Sequence, residues 1–298
     1  MSGGINTSAQ SELIQHVEGL VQRRSSTDRR MGYVWMLVPI LPMVVAISLA
    51  ISFIGILTSA IPNLGNIQQP ESALPFVTEL LGLYGFAIVS LYVVLIFGAF
   101  ALYYLIERRN NHLRRQQRLF STIETHLAQE TKAAGGDRIS SLTRLSEEST
   151  FEERDRPAAL WSILYLFVTP IVGVVVAYNL TQDLQKHEGL QSTYQTALLS
   201  ALSEAGLRSP TIASYKPHKR DPLLFLILTA ITGGLFWVYW FYTLLKDFNE
   251  HFQDQAHFED EILSLLKPEP TTRDCPSCGG LVPEIAKFCP HCGEQQSA

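Results

Sequence analysis

Four stretches of this 298-residue chain contain no Asp, Glu, Lys, Arg or His. They run from Tyr33 to Ile61, Leu80 to Ile106, Ala158 to Leu180 and Pro222 to Leu245. Each reaches the ~20 residues with which a helix crosses the hydrocarbon core of a bilayer. A soluble core helix of that length would carry a polar stripe, so its absence argues against an ordinary soluble domain and for transmembrane helices. Within these blocks the polar side chains of note are Ser48, Ser52, Ser90, Thr169, Thr229 and Thr232, which give an ion pathway few footholds. Paired carboxylates and a nucleophile with its base are missing too. His187, Glu188, His251 and Glu250 are the nearest to such a set, and their spacing defines no reaction, so no enzyme is expected.

What charge there is sorts the chain across a membrane. The polar start has no cleavable-signal layout. Ser11 to Arg24 places Leu13, Ile14, Val17, Leu20 and Val21 on one helical face, which fits a membrane surface, a partner helix or a short local helix. Arg23, Arg24, Arg29 and Arg30 precede the first block, whereas Pro62 to Thr78 has no Lys or Arg, so the first is placed in the cytoplasm and the second outside. After the second block come Arg108, Arg109, Arg114, Arg115 and Arg118, the strongest inside signal in the chain. This cluster can attract anionic lipid at ~1 kcal/mol per residue near the surface, or contact nucleic acid. A topology signal that binds nothing in particular is the preferred reading, because no stacking aromatics are interleaved with it. Alternation then puts Thr181 to Asp221 outside, against its Lys186, Arg208, Lys216, Lys219 and Arg220.

Two internal matches overlap. At an offset of 139, Phe97, Tyr103, Asn110, His112, Gln116, Ile123 and Leu127 repeat as Phe236, Tyr242, Asn249, His251, Gln255, Ile262 and Leu266, which suggests a tandem duplication of a two-span unit. At an offset of 64, Asp183, His187, Gln191, Leu199 and Leu202 repeat as Asp247, His251, Gln255, Leu263 and Leu266. One apolar block separates these last two copies, so if both are helices that extend past their blocks they lie on opposite sides of the membrane. Either they are a general way of leaving a bilayer, or the third block does not cross. An Asp and a His four apart share a helical face and can bind a metal, but a local charge pair needs no further ligands and is preferred.

The stretch ILTAITGGLFWVYWFYTLLKDFNEHFQDQ, with FEDEILSLL after it and DLQKHEGLQSTYQTALLSAL before it, resembles an uncharacterised archaeal and bacterial membrane domain that often carries a zinc ribbon. The resemblance covers roughly Pro157 to Leu266 and implies fold and location, with no particular activity. Beyond a Pro-marked linker the chain ends in CPSCGGLVPEIAKFCPHCGE, which contains all four of its cysteines. Cys275 and Cys278 form one knuckle and Cys289 and Cys292 the other, a spacing that closes a tetrahedral, structural Zn²⁺ site with no open position. The segment is similar to short zinc ribbons at prokaryotic protein termini. His291 is surplus to it. Arg273 and Lys287 face Asp274, Glu284 and Glu294, so nucleic acid is not the expected partner, while Leu281, Val282, Ile285 and Phe288 suggest a small apolar face.

The expected architecture is an all-α membrane protein with four transmembrane helices and a C-terminal ribbon. It comprises an amphipathic segment 1–30, a two-span unit with cytoplasmic helix 31–133, a linker helix 134–156, a second two-span unit 157–267, a linker 268–274 and the ribbon 275–293. The expected function is that of an adaptor or accessory subunit of the cytoplasmic membrane, with both termini inside. Its partner is a cytoplasmic or membrane protein, or another copy of itself. The rivals are a small transporter or channel lined by Thr169, Thr229 and Thr232, and a lipid-organising protein.

Overall fold

Proline and glycine decide where the apolar blocks turn. The structure is a computed structural model that describes residues 7–61, 70–130, 137–204, 217–267, 272–283 and 286–295. Helices α1 (Thr7–Gln22) and α2 (Arg24–Thr27) lead through a 3-10 turn at Tyr33–Met36 into α3 (Leu37–Ala60), which carries no charged residue. Then α4 (Pro70–Glu130) runs for 61 residues, with Pro75 in its early turns and no proline thereafter to stop it. Its apolar first part is flanked by α3 and by the 3-10 turn before it, where Trp35 stacks on Phe97, with ring centroids 5.8 Å apart, and leans on Tyr104. Among the described residues, Tyr33–Ala60 and Leu74–Thr125 are the segments long and apolar enough to cross a membrane.

The third and fourth blocks do something else. Helix α5 (Asp137–Glu152) is followed by α6 (Ala158–Phe167), which ends before Pro170, and α7 (Ile171–Glu204) then sets off anew. Helix α8 (Pro222–Ile231) starts on Asp221, whose carboxylate accepts from the backbone N–H groups of Leu223 and Leu224. It stops at Gly233 and Gly234, with φ of 58° and 93°. The Gly234 N–H reaches back to the Thr229 carbonyl at 2.8 Å, closing the helix end before α9 (Phe236–Leu266) begins.

Both pairs are hairpins. Arg156 grips Asp183 with two bonds of 2.6 and 2.7 Å, although 27 residues separate them. A straight helix would hold those residues about 40 Å apart. Arg220 grips Asp247 across the same 27-residue interval, at 2.9 and 3.1 Å. The expected third and fourth crossing helices are therefore each replaced by two short apolar arms whose polar ends emerge together. The described parts of the segment expected outside, Thr181 to Asp221, pack at that polar end: Asp183 holds Arg156 and Gln185 holds the Arg220 carbonyl, while residues 205–216 lie outside the described residues.

The repeat is accordingly threefold rather than twofold. The later parts of α4, α7 and α9 bundle as equivalents, and each clasps the root of the next hairpin through an amide side chain. Asn110 of α4 exchanges bonds with the backbone of Arg156 at 2.8 and 3.2 Å. Gln185 of α7 donates to the carbonyl of Arg220. Asn249 of α9 exchanges bonds with the backbone of Met31 at 2.9 and 3.1 Å, which returns the circuit to the first hairpin.

Two apolar clusters fill this bundle. One, at the hairpin roots, includes Ile106, Leu184, Trp240, Phe248 and Phe252. The other, further along, includes Leu119, Phe120, Tyr194, Leu198 and Phe258. Val17, Leu20 and Val21 of α1 and Leu142 of α5 are buried in the second. The amphipathic N-terminal face is thus covered by the protein's own head.

Gly98 sets the fit between α4 and α6: a Cβ there would lie 2.5 Å from the Tyr165 Oη. Gly98→Leu is expected to lower stability by about 1–3 kcal/mol through overpacking, read as a fall in Tm in detergent. Gly85→Leu, with open space around it, should leave Tm unchanged. Tyr165→Ala should restore the Gly98 variant.

Candidate metal-binding ribbon and buried polar layer

The ribbon is a pair of knuckles on a two-stranded sheet. Strands β1 (Thr272–Asp274) and β2 (Leu281–Pro283) pair antiparallel with Arg273 opposite Val282. In each knuckle the first cysteine's N–H bonds to a carbonyl five residues on, Cys275 to Gly280 at 2.9 Å and Cys289 to Glu294 at 2.8 Å. Gly279 and Gly293 close the turns with φ of 67° and 76°, a left-handed conformation that favours glycine. The four sulfurs come within 4.8 Å of one another. Cys275 Sγ lies 3.7 Å from Cys292 Sγ, and Cys278 Sγ lies 3.7 Å from Cys289 Sγ. Disulfides would need about 2.05 Å. A tetrahedral ion with ~2.3 Å bonds to sulfur has edges of about 3.8 Å, so the donor set fits one metal ion with no position left over.

The expected apolar face is only partly there. Val282 is buried with Cys275 and Cys289 in the ribbon's own core. Leu281 and Phe288 stay 64% and 59% exposed, and Ile285 lies outside the described residues. His291 is exposed, and its ring lies over Gly280, where a Cβ would come within 2.6 Å of it.

The second cluster is in the head. His112, His187 and His251, one each from α4, α7 and α9, are 1%, 4% and 0% exposed, and they meet between the two apolar clusters. His251 Nε2 is 3.2 Å from His112 Nε2 and 3.1 Å from His187 Nε2. Each outer nitrogen faces a carboxylate: His187 Nδ1 to Glu153 at 2.7 Å, His112 Nδ1 to Asp28 at 3.2 Å, His251 Nδ1 to Glu188 at 3.6 Å. Burial, only partly offset by Glu188, holds the His251 imidazole down to about 3, so it is neutral. Despite burial, His112 and Arg115 keep the Asp28 carboxyl well below its ordinary range. One turn beyond the imidazoles stand Gln116, Gln191 and Gln255, also buried.

Sequence spacing had paired His187 with His251 and, separately, His112 with His251. The Asp183 and Asp247 carboxylates, expected beside these histidines, instead clasp Arg156 and Arg220. Convergence of all three imidazoles follows from reading the two offsets as one series. The arginine cluster is also redirected. Arg108, Arg109 and Arg115 are buried. Arg115 bridges Asp28 and Glu259 at 2.7 and 2.8 Å, and Arg109 meets Asp183 at 3.2 Å. Arg114 pairs with Asp155, while Arg118 is exposed. Thr169, Thr229 and Thr232 each donate to a carbonyl of their own turn, at Tyr165, Phe225 and Leu228.

His218, just before α8, ties that end of the third hairpin to α7 and to its own α9. It meets Glu188 at 2.9 Å and Glu250 at 3.1 Å, with Asp247 at 4.0 Å. The bond to Glu188, against some burial and with help from Glu250, pushes it up to about 9. A raised folded-state pKa gives stability that is full below the unfolded value of about 6.5 and is lost as pH rises through 9. Thermal unfolding in detergent is expected to show Tm falling across that window, and His218→Gln should flatten that part of the profile. Compared with known proteins, the chain matches no family model, no curated protein and no solved structure.

Proposed function

We infer that this is an integral membrane protein of the adaptor or accessory-subunit class: apolar hairpins anchor a cytoplasmic helical head, and the four-cysteine ribbon beyond it, holding Zn²⁺, docks a partner protein. The observation that carries this reading is the division of surface. Leu160, Ile163, Phe167, Ile171, Ile227 and Ile231 at the short hairpins are exposed, as are Ile47, Ile51 and Ile54 of α3. Apolar exposure on that scale is what lipid covers. A ten-residue arm is about 15 Å long. Against a core of ~30 Å, α6 with α7 and α8 with α9 dip into one leaflet while α3 and α4 cross. The head then lies with Arg29, Arg30, Lys186, Lys219 and Arg220 on one side, as the positive-inside rule requires.

The ribbon supports docking to protein. Its exposed Leu281 and Phe288 stand on a module too small for a core of its own, which the metal holds rigid. Arg273 and Lys287 against Asp274 and Glu294 leave little charge for phosphate.

Mild-detergent affinity purification from native membranes tests this. Three forms are compared with the whole protein: one stopped at Lys267, one carrying Cys289→Ser and Cys292→Ser, and one carrying Leu281→Asp and Phe288→Asp. All three are expected to lose the same co-purifying protein. Recovery of nothing but the chain itself from the whole protein would overturn the adaptor reading.

A further inference from the structure

We propose that His112, His187 and His251 form a second metal site, independent of the ribbon, for a borderline divalent transition ion of the Zn²⁺ or Co²⁺ class. The donor spacing is the first argument. The Nε2 atoms of His112 and His187 stand 3.2 and 3.1 Å from that of His251, and all three lie within 4.8 Å of one another. A tetrahedral ion with bonds of ~2.0–2.1 Å to nitrogen has edges of about 3.3 Å, so these imidazoles stand as ligands of one ion stand.

Proton placement is the second. His187 Nδ1 is hydrogen-bonded to Glu153 at 2.7 Å, and the carboxylates nearest the Nδ1 atoms of His112 and His251 are Asp28 at 3.2 Å and Glu188 at 3.6 Å; carboxylates only accept, so this arrangement favours the proton on Nδ1 of each ring. That leaves a lone pair on every Nε2. Three lone pairs at such distances in an apolar interior repel unless a cation lies between them. Carboxylate, imidazole and metal in line is the usual way of fixing a histidine ligand's tautomer and orientation. The carboxylates are themselves held, Asp28 by Arg115 at 2.7 Å, Glu188 by His218 at 2.9 Å and Glu153 by the Ser149 hydroxyl at 2.6 Å.

The third argument lies one turn along the bundle. The side-chain oxygens of Gln116, Gln191 and Gln255 are buried and accept no hydrogen bond among the described residues. Beside Gln116, Gln191 and His187 is a cavity of about 10 Å³. That is space for one water. An ion with three protein ligands keeps a fourth position, and a water bound there has two O–H groups to donate, matching the orphaned oxygens of Gln116 and Gln191 that line the cavity. Imidazole donors without thiolate or direct carboxylate select Zn²⁺ and its neighbours over Ca²⁺ or Mg²⁺. With apolar clusters sealing both sides and one ligand from each hairpin, the ion acts as a tie that closes the threefold head.

Metal content of the full-length protein in detergent, measured after Zn²⁺ loading and desalting, tests the site. The native chain is expected to hold two ions. The version with all four cysteines changed to Ser should hold one, and adding His112→Gln, His187→Gln and His251→Gln to it should leave none. Because the triple change bears on folding, Glu153→Gln in the cysteine-free background gives an independent reading. It keeps every ligand and should weaken Zn²⁺ retention against a chelator about 10–100-fold. Co²⁺ in that background should give the visible bands of a tetrahedral site without thiolate charge-transfer absorption. A cysteine-free protein with native circular dichroism that retains neither ion would overturn the proposal, as would retention unmoved by both the histidine and the Glu153 changes.

Discussion

The head of this protein depends on a ring of three amide clasps. Asn110, Gln185 and Asn249 each bind the backbone at the root of the following hairpin, and the third returns to the first. Backbone groups at a hairpin root are costly to bury unpaired. The clasp satisfies them and fixes register at the same time, because an amide offers a donor and an acceptor in fixed geometry. Once the three helices are held in that register, the residues that follow at each position must meet: histidine with histidine, then glutamine with glutamine. A polar layer sandwiched between apolar clusters costs stability unless its groups are paired. The carboxylates behind each imidazole, and Arg115 between Asp28 and Glu259, supply that pairing on the outside of the ring.

Much of this was legible in the chain, and the failures have physical causes. The apolar blocks, the ribbon ligands and the helical character of the segments between them follow from composition and spacing. Hairpins were harder to see, because an apolar run of 23 residues, as from Ala158 to Leu180, is long enough either to cross once or to dip and return. The local signs of a turn were present: Pro170 sits mid-block, and Gly233 and Gly234 can adopt the positive φ that ends α8. The offset of 64 between His187 and His251 was the sharper clue, since one full crossing between them would put the two copies on opposite sides, whereas their imidazoles stand 3.1 Å apart. Convergence of His112 was not local to any stretch. It appears only when the first, 61-residue helix is set beside α7 and α9, and the substitution of Gln185 for asparagine hides the common clasp.

The two metal-type clusters differ in how they relate to folding. In the ribbon, the core is little more than Val282 with Cys275 and Cys289, so a metal held by the four cysteines would be inseparable from folding. In the head, the imidazoles lie between apolar clusters that do not include them, so an ion there would join three helices that already pack together. The same division runs through the surface. Burial of Arg109 and Arg115 removes from the exterior much of the charge that looked like a lipid-binding patch, and leaves Leu281 and Phe288 on the ribbon as exposed large side chains in the polar half.

The central claim is that α7 and α9 leave their apolar arms on the same side and bundle together. Spin labels at Thr193→Cys and His257→Cys, both exposed positions, measure this directly in a chain stopped at Lys267, where no native cysteine remains. Neighbouring bundle helices lie about 8–10 Å apart, so the account predicts an interspin distance below about 30 Å. A distance beyond about 40 Å, the span of a bilayer with its headgroups, would place the two helices on opposite sides and contradict it.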